Sequence, residues 1–127
     1  GYLKEEQYQD ILSQADVAIG ALSLYVKNME EACPLKVREY LAYGLPVIVG
    51  YKDTDLSDDA PYVLNIPNTP DNVLQSVESI RNFAQAWVGK RVPRGLIAHI
   101  DSSIKEKQRL AFMSRCLQYK GKNILNP

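Results

Sequence analysis

Apolar and polar positions change period several times along the chain, and each change marks an element. Gln7 to Gln14 has the look of the last turns of a helix, and the short apolar run Asp16–Leu22 that follows has strand length. In Pro34–Gly44 the residues Val37, Tyr40, Leu41 and Gly44 fall at i, i+3, i+4 and i+7, which predicts a helix with Pro34 at its first position. Gly44 followed by Pro46 is a stop signal, and Pro46–Gly50 is continuously apolar, as suits a strand of a parallel sheet covered on both faces. Past the turn-rich stretch 52–61, residues 62–66 predict a third strand. Thr69-Pro70-Asp71 then opens a helix striped by Val73, Val77, Ile80, Ala84, Trp87 and Val88 and stopped at Gly89, and Ser103–Glu106 forms a capping box for a last helix reaching about Tyr119.

Strands alternating with helices imply βαβ units, so the expected class is α/β: a Rossmann-like parallel sheet with helices on both faces. The 127 residues suit a single domain, and 46% hydrophobic with 24% charged residues is ordinary globular composition. Three strands make a thin sheet. A charged helix end leading straight into a buried strand suggests the back portion of a larger doubly wound domain, with a boundary near Gly1. No apolar run approaches the ~18 residues of a membrane span, and Gly1 opens no leader, so the expected location is the cytoplasm. Cys33 and Cys116 lie far apart and His99 is the single histidine, which argues against a disulfide framework and a zinc site. Asp53, Asp55, Asp58 and Asp59 lack the glycine and terminal glutamate of a calcium loop, so no metal is expected.

The zero formal charge hides an asymmetry: residues 1–80 carry 13 acidic against 5 basic groups, and residues 81–127 carry 10 basic against 2 acidic. The basic third could meet another domain, a phosphate or an anionic membrane surface to which the protein would be peripheral; the ordinary alternative is mutual neutralisation of the two halves. Nucleic acid is not among the expected partners.

In open parallel sheets ligands bind at the carboxyl ends of the strands, which points to residues 23–33 and 51–59. The first segment runs into the amino terminus of the 34–44 helix, where free N–H groups favour a phosphate. Glu39 lies one turn further on, a rise of ~5.4 Å, suited to ribose hydroxyls while the helix start holds a diphosphate; the plain alternative is a solvated helix glutamate. Arg38 stands where an apolar residue would pack, which predicts a snorkelling stem with a paired guanidinium.

The run from Glu31 to Ile48, with seven residues between Glu31 and Glu39 and the sequence PLKVREYLAYGLPVI, resembles the nucleotide-sugar half of the group-1 retaining glycosyltransferases of the GT-B fold, as does Ala15-Asp16-Val17 before the first strand. The strong part covers about residues 11–50. The resemblance implies that Glu39 holds the donor ribose and that Glu31, expected in a loop, faces the donor sugar as the catalytic-site carboxylate. It also implies that the backbone around Cys33, Pro34, Leu35 and Lys36 meets the diphosphate or sugar, with no cofactor beyond the nucleoside diphosphate sugar donor. The reaction implied is a hexosyl transfer to an unknown acceptor with retention, of the kind used in polysaccharide biosynthesis. Such enzymes carry an arginine and lysine pair and an acceptor-binding domain earlier in sequence, and neither is in this chain, which would thus be the donor-binding portion. Two competing readings are a sugar-nucleotide epimerase of related fold and a non-catalytic interaction module.

Overall fold

The computed structural model describes residues 2–123, which divide into two compact units, residues up to Arg94 and residues from Gly95 on. The first unit is α/β. Helix α1 (Glu5–Gln14) leads to β1 (Ala18–Ile19), and a 3-10 turn (Leu24–Lys27) leads to β2 (Glu31–Ala32) and α2 (Leu35–Ala42). Strands β3 (Val47–Val49), β4 (Lys52–Asp53) and β5 (Val63–Asn65) precede two helices, α3 (Asn72–Gln75) and α4 (Val77–Trp87). The three apolar runs pair as one parallel sheet of order β1-β3-β5, with Ala18 opposite Val47 and Ile48 opposite Leu64. This small parallel sheet with several helices is consistent with the Rossmann-like class.

Every residue of the central strand β3 is buried, as its uninterrupted apolar character requires. Val37 and Leu41 of α2, Leu45, Val47 and Val49 are fully buried and form the heart of the core. Helix α2 ends by the expected glycine. Gly44 takes φ +76°, its N–H donates to the Leu41 carbonyl at 2.9 Å, and the Leu45 N–H reaches Tyr40 at 2.9 Å, which is a Schellman motif. The chain leaves it directly into β3, so the glycine stop sets where the buried strand begins.

Four details differ from the sequence expectation. Pro34 is the N-cap of α2, one position before the first helical residue. Glu31 lies in β2, not in a loop, because β2 pairs with β4 as a second parallel ladder. The connection from β3 to β5 runs through β4 and turns with no helix; its 13 residues, 50–62, are just long enough for a parallel return. The helix expected from Thr69 to Gly89 is broken at Ser76, and its first piece starts after Asp71, whose φ is +62°. Asn72 accounts for the early piece. Its buried side-chain amide donates to the Leu22 carbonyl at 2.7 Å and the Pro67 carbonyl at 2.9 Å, tying together the chain beyond β1 and the chain beyond β5.

The segment after α4 folds back on the same unit. The Asp16 carboxylate accepts the Gly89 N–H at 2.9 Å, the Arg91 guanidinium donates to the Ser13 carbonyl at 2.7 Å, and buried Val92 donates to the Gly44 carbonyl at 2.8 Å. Arg91, in the basic run Lys90, Arg91, Arg94, therefore has a role within the fold.

The second unit holds most of a 3-10 segment (Arg94–Ile100), which includes an exposed His99, and the long helix α5 (Ser102–Asn123). Asp101, not Ser103, caps it: its carboxylate accepts the Ser103 N–H at 2.8 Å and the Ser103 hydroxyl at 2.6 Å. Along α5 the apolar residues Ala111, Phe112 and Cys116 are exposed and Ile104 is half-buried. Leu110, Met113 and Leu117 are exposed as well. Among the described residues no helix is long and apolar enough to cross a membrane.

Candidate functional site

The β2–β4 ladder builds the site. Its register places Glu31 opposite Lys52 and Ala32 opposite Asp53, so the residues just before α2 are held against the loop leaving β3. The Lys52 ammonium lies 3.6 Å from the Glu31 carboxylate, both side chains more than half exposed, a pair worth at most ~1 kcal/mol. A second tie comes from Asn68, beyond the end of β5. Its carbonyl oxygen accepts the Tyr25 N–H at 2.9 Å, and its amide donates to the Met29 carbonyl at 2.9 Å and to Glu30 at 3.3 Å. The segment carrying Glu30 and Glu31 is thus fixed from both sides.

These ties enclose a pocket of about 340 Å³ at the carboxyl ends of β3 and β5, lined by Glu30, Glu31, Tyr51, Lys52, Asp58, Asn65, Ile66 and Asn68. The two loops singled out in the sequence both contribute to it. Asn65, Ile66 and Asn68 were not foreseen, although the rule that picked the loops after β1 and β3 applies equally to the chain leaving β5. Tyr51 is buried, and its hydroxyl is a buried polar atom with no hydrogen-bond partner. Burial, reinforced by the nearby Asp53 charge, pushes its pKa up to about 12, so it stays a neutral phenol.

Arg38, one turn into α2, anchors the helix start. Its guanidinium grips the Asp53 carboxylate through two hydrogen bonds of 2.7 and 2.6 Å, with the Arg38 side chain 15% and the Asp53 side chain 1% exposed. Asp55 adds a contact at 3.3 Å, and the Asp55 N–H donates to Asp53 at 3.0 Å. The paired guanidinium expected at Arg38 is what the structure contains. Burial alone would lower the Arg38 pKa, but the hydrogen bonds and charge of Asp53 outweigh it and hold it above its ordinary value. Two of the four acidic residues that could have imitated a cation site are therefore partners of Arg38. Among the described residues no group of three or more histidine, cysteine or carboxylate side chains is placed to hold a metal.

Cys33 belongs to the same cluster, its Sγ 2.9 Å from the Arg38 guanidinium and 3.3 Å from the Asp55 carboxylate. Burial and the hydrogen bond to Asp55 raise its pKa against the lowering effect of Arg38, which leaves it a poor nucleophile. Leu35 is 85% exposed and Lys36 is exposed, with its ammonium 5.5 Å above the Tyr40 ring. No side chain caps α2, so its first N–H groups are left for another acceptor.

Glu39 is exposed and accepts a hydrogen bond from the Tyr8 hydroxyl of α1 at 3.1 Å. Burial, then that bond, pushes the Tyr8 pKa up to about 12. The expected site residues are thus distributed: Glu31 lines the pocket, Cys33 to Lys36 form the entry to α2, and Glu39 sits beside α1. Glu31 and Pro34 are three positions apart along the chain, a span of at most ~11 Å. No protein-family model, curated protein or solved structure matches the chain.

Proposed function

We propose that the chain is the donor-nucleotide-binding portion of a retaining, GT-B type glycosyltransferase, which passes a sugar from a nucleoside diphosphate to an acceptor. The observation that carries this reading is the run from Glu31 to Ile48. It folds as strand, uncapped helix, glycine stop and buried strand, with a pocket touching its first glutamate at the carboxyl ends of the sheet. In this reading the first turn of α2 takes the diphosphate on its free N–H groups, and the helix dipole favours the charge that develops as the diphosphate departs. Glu39 accepts from the ribose hydroxyls through the oxygen that Tyr8 does not use, and Glu31 faces the sugar. The Arg38–Asp53 pair holds α2 against β4 so that the diphosphate and sugar positions keep a fixed spacing. The exposed face of α5, with its basic flanks, would meet the acceptor-binding domain.

The test is titration of the chain with UDP, GDP and ADP, followed by ligand-observed NMR, with Glu39→Gln as the variant. Hydrogen bonds to a charged group are worth ~1.5–3 kcal/mol, so the variant should bind the preferred nucleotide at least tenfold more weakly while unfolding at the same urea concentration. Absence of affinity for all three nucleotides would leave the interaction-module reading in its place, and unaltered affinity in Glu39→Gln would remove the ribose assignment.

A further inference from the structure

The pocket beside Glu31 has a charge balance that bears on the transferred sugar. Its lining holds three carboxylates, Glu30, Glu31 and Asp58, against the single ammonium of Lys52. Lys52 is committed to Glu31 at 3.6 Å, and the neighbour of Glu30 is the neutral amide of Asn68. The lining thus carries a net of two negative charges. Of the remaining polar groups, the Asn65 amide can donate or accept, the Asn68 amide is engaged by Tyr25, Met29 and Glu30, and the Tyr51 hydroxyl is buried behind the lining without a partner in the protein. The pocket offers many acceptors, some neutral donors and no guanidinium or second ammonium to receive an anion. Its volume of about 340 Å³ exceeds a hexosyl ring and lies within the range of small-molecule sites.

We propose that this pocket selects an uncharged, hydroxyl-rich hexosyl group and rejects its uronate counterpart, in which the C6 hydroxymethyl is a carboxylate. The inference rests on the glycosyltransferase reading above, since that reading brings the donor sugar to Glu31. The hydroxyls of a neutral hexose donate to Glu30, Glu31 and Asp58 and accept from the Asn65 amide, so every carboxylate finds a donor. A uronate brings a third unbalanced negative charge into a half-enclosed space, and like charges juxtaposed without a counter-ion repel. Opposition by two such carboxylates at partly solvated separations amounts to about a tenfold preference for the neutral sugar, or ~1.4 kcal/mol.

The experiment measures dissociation constants of the chain for matched donors by calorimetry or ligand-observed NMR. The ligands are UDP, UDP-glucose and UDP-glucuronate, with GDP, GDP-mannose and GDP-mannuronate as the second set. The expected result is about tenfold tighter binding of the hexose member of whichever set the nucleotide selects. The ratio should narrow in Asp58→Asn and narrow again as salt is raised, since screening weakens a charge repulsion and leaves neutral hydrogen bonds largely intact. Asp58 is an exposed loop residue, so its substitution leaves the core untouched. Equal or tighter binding of the uronate, with the parent nucleotide bound, would overturn the sugar inference and leave the nucleotide reading standing. A ratio unmoved by both Asp58→Asn and salt would overturn its electrostatic basis. Failure of UDP, GDP, ADP and all four sugar donors to bind would remove the glycosyltransferase reading and this inference together.

Discussion

Replacing Arg38 by methionine tests the contact on which the geometry of the candidate site depends. The substitution keeps an unbranched apolar stem and deletes the guanidinium that grips Asp53 at 2.7 and 2.6 Å. Asp53 is 1% exposed in its side chain and cannot turn to water. Breaking a buried pair by removing one partner costs ~3–5 kcal/mol, because a charge is stranded in low dielectric. Two features favour the lower end: the Asp53 carboxylate keeps the Asp55 N–H as a donor, and 15% exposure of Arg38 marks a route for water. The expected loss is thus about 3 kcal/mol against a total of ~5–15 kcal/mol for a domain of this kind. Urea unfolding followed by Trp87, the single tryptophan, reads the loss directly. The double variant Arg38→Met, Asp53→Leu separates a stranded charge from a packing defect: it removes both charges and should recover most of the stability. A loss under 1 kcal/mol or a double variant worse than the single one would each refute the clamp.

Other expectations rest on single measurements. Asn72→Ala deletes the hydrogen bonds of a buried amide to the Leu22 and Pro67 carbonyls, at ~0.5–1.5 kcal/mol each; urea unfolding at unchanged m-value would register it. A Cβ at Gly50 would stand 3.0 Å from the Leu22 Cα, which is backbone and cannot swing aside, so Gly50→Ala should destabilise by roughly 1–3 kcal/mol by overpacking, visible in the same assay. Tyr51 titrates at about 12 when folded and 10.0 when unfolded, so the folded protein holds the proton more tightly and stability falls as pH rises from 10 to 12. Two units correspond to at most ~3 kcal/mol, and Tyr51→Phe should flatten that alkaline loss. With Cys116 changed to serine, the Cys33 thiol should alkylate more slowly at pH 8 than free cysteine, with its inflection above the ordinary thiol value, and iodoacetamide kinetics against pH would reveal a lowered one.

Sequence pattern located the sheet because β1, β3 and β5 come from runs of apolar residues that no other burial could satisfy, and it located the end of α2 because Gly44 can adopt φ +76° without strain. It missed β2 and β4 for a physical reason. Each is two residues long and mostly polar, Glu31-Ala32 and Lys52-Asp53, so neither has a period, and the ladder exists only because the partner lies opposite. The break at Ser76 escaped notice in the same way. The apolar stripe passes through it without interruption, while Asn72, which opens the first piece, is held by a carbonyl 50 residues earlier, a contact no local pattern shows.

The partner of Arg38 illustrates what separates the readable from the unreadable part of the site. A guanidinium on an otherwise apolar sector must be paired, so the existence of a carboxylate partner follows from elementary solvation. Its identity does not: Asp53, Asp55, Asp58 and Asp59 are equivalent in sequence, and the β2–β4 register alone brings Asp53 under α2. The same register places Lys52 against Glu31 and so decides the charge of the pocket. One polar ladder of two residues per strand thus sets both the anchorage of α2 and the electrostatics beside Glu31. A change in that ladder, such as Ala32→Pro, should therefore disturb helix anchorage and ligand selectivity together, whereas a change at Asp58 should reach only the second.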